Sequence, residues 1–172
     1  MGGRLVTTRD HLIYQLQVLY AFDRDVLPIM DSMIHEDGNA ELRQILQRQH
    51  DGIKGELEPL ERALNLLGAQ YKMERSPITP ALKEALERFK HQMNPAQDQL
   101  DIHALLLMMH TSHVIISEYK GGIELARAVG EQDVVTLLEE NCQRHTAGLN
   151  EMENFAPTLI QQVSRQEINR AA

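Results

Sequence analysis

Apolar residues in this chain recur at spacings of three and four along four stretches, at 12–33, 42–67, 102–123 and 135–156. That spacing keeps one face of an α-helix turned toward a partner, so each stretch predicts a long amphipathic helix. We call each of these apolar stretches a seam. Polar side chains interrupt every seam, where they lose their water and therefore need a hydrogen-bond partner or a metal. A polar site inside a helical bundle is therefore predicted. The interrupting residues are Asp23 in the first seam, Gln49 and Glu56 in the second, His113 and Lys120 in the third and His145 in the fourth.

Turn and breaker residues divide the chain into five predicted helices. The first begins after Thr7-Thr8, where either hydroxyl can cap it, and runs to about Glu36. Thr79 followed by Pro80 predicts an N-cap with proline at the first helical position. The predicted bounds of the other helices are about 40–67, 80–93, 96–129 and 131–155. Residues 158–172 are expected to form a short helix or a frayed tail.

Loop lengths predict how the four long helices connect. Short turns at Asp37-Gly38-Asn39 and at Gly130 join them into two antiparallel hairpins. The hairpins are separated by a crossover of about 28 residues, which an up-down-up-down bundle would not need. The pattern therefore predicts an all-α, ferritin-like four-helix bundle with a short helix in the crossover. We expect one domain over 1–172, with its core at about 9–156.

Composition supports the helical prediction and excludes one class of partner. Of 172 residues, 42% are hydrophobic but only 4% are aromatic, so aliphatic residues and eight Met must fill the core. A core of aliphatic residues with few aromatic ones is more typical of helical bundles than of β-sandwiches. The net charge is −8, and no basic stripe exceeds two adjacent cations. Binding to a phosphate backbone needs clustered Lys and Arg, so nucleic acid is not an expected partner.

The single cysteine and the first residues of the chain indicate the cellular compartment in which the protein is expected. Cys142 has no second cysteine to pair with, so a reducing compartment is expected. The first five residues carry no apolar stretch of signal-peptide length. No segment reaches the roughly 20 uninterrupted apolar residues of a membrane span. We therefore expect a soluble, cytoplasmic protein with no membrane partner.

Two parts of the chain carry a recognisable succession of residues. In the second half they are Tyr119, Ala126, Gly130 and the Leu137-Leu138-Glu139-Glu140 run, and in the first helix Leu16, Leu19-Tyr20 and Asp23. This succession resembles the bacterial YciE/YciF-type ferritin-like proteins, which have a leucine-rich first helix with an acidic residue. The resemblance covers about residues 10–156. It implies a fold similar to di-metal carboxylate bundles and a link to stress responses, without an agreed biochemical activity.

The chain departs from the pattern of that family at most metal-ligand positions. Asp23 stands where the family has Glu, and Gln49 and Gly52 stand where it has His followed three residues later by Glu. Ser112-His113 replaces a Glu-His pair, and Arg144-His145 replaces paired glutamates. The resemblance therefore implies a di-metal site that has lost most of its carboxylates, and it does not extend to ferritin-like oxidase activity.

The polar residues that remain predict one metal ion or none. Asp23, His113 and His145 supply one carboxylate and two imidazoles, a ligand set used by non-haem iron and suited also to zinc or manganese. Glu56 or Gln49 is a further candidate ligand. His113 lies 17 residues before the last turn and His145 lies 15 after it, so their levels differ by about 3 Å. The alternative is that these side chains satisfy one another by hydrogen bonds without a metal.

Two functions are consistent with these observations. The first is a stress-associated bundle protein with one divalent ion (Fe, Mn or Zn) in its core and redox or oxygen/peroxide chemistry. The second is a non-catalytic structural or scaffold protein whose buried polar residues form a metal-free network. A homodimer is expected, and the sequence identifies no small-molecule substrate.

Overall fold

The computed structural model describes residues 5–73 and 75–171, and every regular element among them is a helix. The prediction of an all-helical chain is confirmed. Residues 1–4 lie outside the described residues, as do residues 74 and 172, and they include most of the five residues on which the expectation about a signal peptide rests. The helices are α1 Thr8–Glu36, α2 Ala40–Leu66, α3 Thr79–Met93, α4 Gln97–Ala128 and α5 Gln132–Ala171.

Side-chain caps fix the starts of the first two helices. The Thr7 hydroxyl accepts a hydrogen bond from the Asp10 N–H (3.1 Å), and the Asp10 carboxylate accepts one from the Thr7 N–H (2.9 Å). Asn39 caps α2 through its side-chain oxygen. The predicted N-cap of α3 is wrong, because Thr79 is already helical. The Ser76 hydroxyl accepts from two backbone N–H groups at that helix start instead.

The four long helices pack in a closed ring. α1 contacts α2 and α4, and α5 contacts the same two helices, so each long helix has two long neighbours. The short α3 packs against α4 and α1. Aliphatic side chains from all five helices form one continuous core. The ring turns the seams of the long helices inward, and this brings their polar interruptions into the core.

The buried face of α4 differs from the predicted seam by one residue over its middle part. Ile115 and Tyr119 are buried there, whereas Leu106 is 45% exposed and His113 lies on the surface. Apolar residues stand side by side along this helix, as at 105–109, so two neighbouring registers both satisfy the spacing of three and four. Packing against α1 and α5 selects the register that buries Tyr119 and exposes His113.

α5 continues well past its predicted end. Pro157 lies inside the helix, and Leu159 and Val163 beyond it are buried. These two residues line a cavity together with Gly38 of the α1–α2 turn, so the extension packs on that end of the bundle. Their spacing of four gives the extension an apolar face to bury. Both interpretations of 158–172, a separate short helix and a frayed tail, are therefore wrong for the described residues.

Of the described helices, α4 is long and apolar enough to cross a membrane by length and composition. It packs against α1, α3 and α5, and the core helix of a soluble bundle meets the same criterion. The absence of a membrane partner therefore stays a prediction.

Candidate metal centre

Three buried side chains from three helices meet inside the bundle. Asp23 of α1 is 0% exposed, Glu56 of α2 is 1% exposed and His145 of α5 is 6% exposed. The Nε2 atom of His145 lies 2.7 Å from Glu56 Oε2 and 3.6 Å from Asp23 Oδ1. One potential ligand atom from each residue lies within 4.8 Å of the other two. We refer to these three residues as the buried triad.

Apolar residues one turn away on each helix hold the triad in the core. Burial of one large aliphatic side chain contributes roughly 1.5–3 kcal/mol to the stability of the fold. Their burial fixes the rotation of the helices, so the polar residue between them stays inside despite the cost of its own desolvation. The flanking buried residues are Leu19, Val26, Ile53, Leu60, Cys142 and Leu149.

Tyr119 of α4 and Asn141 of α5 orient the triad, and both are fully buried. The Tyr119 hydroxyl donates to Asp23 Oδ2 (2.8 Å). The Asn141 amide donates to the Tyr119 oxygen (3.3 Å) and to the backbone carbonyl of Glu56 (3.2 Å). The rings of Tyr119 and His145 lie 5.2 Å apart, centroid to centroid. These contacts occupy one oxygen of Asp23 and leave the other, Oδ1, on the side of His145.

Three atoms of the triad lack a hydrogen bond within the described residues: Asp23 Oδ1, Glu56 Oε2 and His145 Nε2. The 2.7 Å contact between His145 and Glu56 is short enough for an ion pair, but it does not have the geometry of a hydrogen bond. Buried polar groups are otherwise almost always hydrogen-bonded. Carboxylate oxygens and an imidazole nitrogen are ligands of iron, manganese and zinc. The three unsatisfied atoms therefore fit one divalent metal ion.

The members of the triad shift one another's pKa. Burial lowers the pKa of His145, but its interactions with Asp23 and Glu56 outweigh burial and raise it to about 10. Burial raises the pKa of Glu56 above its usual range, against the opposing effect of His145. Burial also raises the pKa of Tyr119 well above its usual value, so the phenol keeps the proton that it donates to Asp23. A metal-free triad therefore pairs one imidazolium with two carboxyl groups.

The structure brings together three of the five predicted site residues and places the other two outside the triad. His113 is 62% exposed, and its Nε2 atom lies 3.1 Å from Glu153 on the surface. The shifted register of α4 is the reason for this correction. Gln49 is half-buried, and its amide donates to Glu151 (3.1 Å). It lies two turns from Glu56, about 10 Å along α2, which is too far to join the triad.

Tyr119 and Asn141 are the site residues that sequence reasoning missed. Tyr119 carries part of the family resemblance, but its position at the site follows only when the α4 seam is moved by one residue. In that register it replaces Lys120, and a buried phenol then faces the acidic residue of α1. Asn141 precedes Cys142 in the last seam and carries no comparable signal, because a polar residue beside a seam is typical of a surface position.

Fold and site together define an all-helical bundle protein with a candidate metal centre in its core. Residues 7–165 match the family described as "Domain of unknown function (DUF892)". The match spans most of the chain, so this protein belongs to that family, and the resemblance to YciE/YciF-type proteins is confirmed. No curated protein is a significant match.

Three solved structures share the fold over nearly their whole length. The Escherichia coli stress protein YciF superposes with a TM-score of 0.85 at 16% identity, over 91% of this chain and 99% of that one. YcfI from Rhodopseudomonas palustris, provisionally described as a structural protein, gives 0.83 at 20% identity, over 89% and 97%. A protein from Xanthomonas campestris pv. campestris gives 0.78 at 17% identity, over 94% and 99%. At these identities the likeness shows the fold alone.

Proposed function

We propose that this protein is a ferritin-like four-helix bundle that holds one divalent metal ion, iron, manganese or zinc, between Asp23, Glu56 and His145. The observation that carries the proposal is the set of three buried ligand atoms that lie close together and lack hydrogen bonds. The ring of four long helices, with α3 in the connection between the two hairpins, supports the ferritin-like interpretation.

Charge balance inside the bundle favours an ion. With a neutral imidazole, the two carboxylates carry two negative charges, which one divalent cation neutralises. Without the ion, a protonated His145 neutralises only one of them, and a net charge in an apolar core is costly. Arg144, an exposed residue of α5, adds a weaker positive influence on Glu56. The most complete neutralisation of the triad is therefore by a divalent metal.

The residues divide the work at such a site. A redox-active ion would supply electron transfer or oxygen and peroxide chemistry at coordination positions that the protein leaves open. The triad would bind the ion. The Tyr119 hydroxyl fixes the orientation of Asp23, and the flanking aliphatic residues exclude bulk water. Within residues 5–73 and 75–171 only one group of three close His, Cys, Asp or Glu ligands occurs. This supports one ion rather than two.

Tyr119→Phe is expected to weaken metal affinity about 10–100-fold, the usual effect of losing a residue that orients a ligand. The substitution removes only the hydroxyl, so Asp23 Oδ2 loses its donor and Asn141 loses an acceptor. Competition titration against a chelator measures the change. Tyr14→Phe, at a tyrosine that is 42% exposed, is the matched control and is expected to bind metal normally. Wild-type affinity in Tyr119→Phe would show that the hydroxyl does not position Asp23.

Metal content of protein purified without a metal-affinity step tests the proposed function. About one ion per chain is expected in the wild type, and much less than one in Glu56→Gln, which loses a charged ligand. His113→Ala and Gln49→Ala lie outside the triad and are expected to keep the wild-type content. Two ions per chain would contradict the single site. No metal after addition of iron, manganese or zinc would contradict the site itself.

The second candidate function is a non-catalytic structural or scaffold role, with the triad as a metal-free polar network. The 2.7 Å contact between His145 Nε2 and Glu56 Oε2 favours it, because a protonated imidazole already gives that carboxylate a partner. The description of YcfI as a structural protein agrees with this alternative. The same metal measurement distinguishes the two functions.

The wider setting that we propose is a stress-associated, cytoplasmic homodimer without nucleic-acid or membrane partners and with no identified small-molecule substrate. The stress association is supported by the description of YciF as a stress protein. The net charge of −8 opposes binding to nucleic acid. Light scattering tests the dimer.

A further inference from the structure

A cavity of about 270 Å³ opens between α2 and α5 and reaches the triad. Glu56 and His145 line it, whereas Asp23 does not. The Tyr119 hydroxyl covers Asp23 on the opposite side, and both residues are 0% exposed. Of the three triad residues, Glu56 and His145 are therefore the ones beside which a ligand from solvent would arrive.

Gln49 and Gly148 set the width of this cavity. A Cβ atom at position 148 would lie 1.7 Å from Gln49 Oε1, so the Gln49 amide occupies space that exists because residue 148 is glycine. The same amide donates to Glu151, which also accepts from Arg48 (2.6 Å). These contacts fix the wall beside the triad and restrict the cavity to small ligands.

Arg144 gives the cavity a positive charge that is available to a ligand. It lines the cavity, and its Nη1 atom donates to Asn141 Oδ1 (2.9 Å). Within the described part of the chain it forms no ion pair with an acidic residue, whereas Arg48 pairs with Glu151 (2.6 Å). A guanidinium has five N–H donors, so one bond to Asn141 leaves most of them for other partners.

We infer that this cavity takes a small monovalent anion, which binds on the Glu56–His145 side of the metal and is held by the Arg144 guanidinium. The inference rests on the proposed metal site, because two carboxylates without an ion would repel an anion. Three protein ligands would leave coordination positions of a bound ion for an outside ligand, and the cavity lies beside two of the three protein ligands. Azide is a small monovalent anion that binds divalent metal ions, and it serves as the probe.

Azide titration of the cobalt(II)-loaded protein, followed by the visible absorption of the bound cobalt, tests the inference. The wild type is expected to show a saturable spectral change. Arg144→Gln is expected to bind azide about tenfold more weakly, because it loses one attractive charge at a partly solvated site. Arg144→Lys keeps the charge and is expected to stay within about threefold of the wild type.

The controls separate this inference from the metal site beneath it. Cobalt content is measured first, and it is expected to be the same in the wild type and in Arg144→Gln. Arg127→Gln, which removes an exposed arginine paired with Glu139 away from the cavity, is expected to bind azide normally. Equal azide affinity in the wild type and Arg144→Gln overturns the anion site alone. Absence of bound cobalt in the wild type overturns the metal site and this inference with it.

Discussion

Replacing His145 with alanine is expected to destabilise the metal-free protein by about 3–5 kcal/mol at pH 7. Among the described residues, His145 is the cation in direct contact with the buried carboxylates of Asp23 and Glu56. Without it, the two carboxylates face each other in an apolar core with no adjacent counter-charge. At least one of them must then take up a proton or draw in water, at a free-energy cost. Chemical denaturation in the presence of a chelator measures the loss.

His113→Ala is the matched control for this substitution. His113 is 62% exposed and contacts Glu153 at the surface, so a loss below about 1 kcal/mol is expected. The double variant Glu56→Gln, His145→Ala removes one of the two charges left behind and is expected to regain part of the lost stability. Equally small losses for His145→Ala and His113→Ala would contradict a buried, charged triad.

The helices of this fold could be predicted because their ends and three of their faces are strongly marked. Gly68 and Gly130 follow the ends of α2 and α4 with φ of 65° and 78°, a conformation that glycine adopts without strain. In α1, α2 and α5 the predicted seam coincides with the buried face, apart from the half-buried Gln49. Asp23, Glu56 and His145 were therefore identifiable as buried residues from spacing alone.

The contribution of α4 could not be predicted in the same way. Its neighbouring apolar residues permit two registers, and the spacing rule does not distinguish the one with His113 inside from the one with Tyr119 inside. Counting residues from the turn also favoured the wrong choice. Tyr119 lies 11 residues before Gly130 and His145 lies 15 after it, a difference of about 6 Å along the bundle.

Side-chain direction accounts for that difference. Helical side chains point toward the N-terminus of their own helix, so the long phenol of Tyr119 extends away from the turn and toward the level of the triad. His145, on the antiparallel helix, leans back toward the turn. The two side chains therefore approach each other although their Cα atoms differ in depth by about one turn. A comparison of Cα levels along the bundle does not include the direction of the side chains, and it therefore favours His113.

The choice between Glu56 and Gln49 also depended on packing rather than on pattern. Both residues interrupt the same seam of α2, one turn to either side of Ile53, so periodicity gives them equal standing. Gln49 turns instead into the space above Gly148, where its amide donates to Glu151. Glu56 lies where α1, α2 and α5 converge. Gln49 lies about 10 Å from Glu56 along α2 and packs beside Gly148, so packing rather than spacing separates the two residues.

The metal-free protein is expected to lose stability as the pH rises from about 6.5 to about 10. Although burial lowers the pKa of His145, its interactions with Asp23 and Glu56 raise it from 6.5 to about 10 in the folded chain. The folded state therefore holds this proton more tightly than the unfolded chain does. The stabilisation is complete below about pH 6.5 and disappears as the pH rises through about 10. One pKa unit corresponds to about 1.4 kcal/mol, so the loss amounts to several kcal/mol.

Thermal denaturation with and without metal, compared over this pH range, measures the effect. In the loaded protein the Nε2 atom of His145 binds the ion instead of a proton, so the loss is absent, and acid releases the metal instead. Asp37 titrates as well, because burial raises the pKa of its carboxyl to about 7, and its stabilisation disappears as the pH rises through that value. The His145→Gln variant keeps Asp37. Subtracting its stability–pH profile from that of the wild type therefore removes the contribution of Asp37. A metal-free wild type that parallels His145→Gln above pH 7 would show that His145 carries no proton in the folded core.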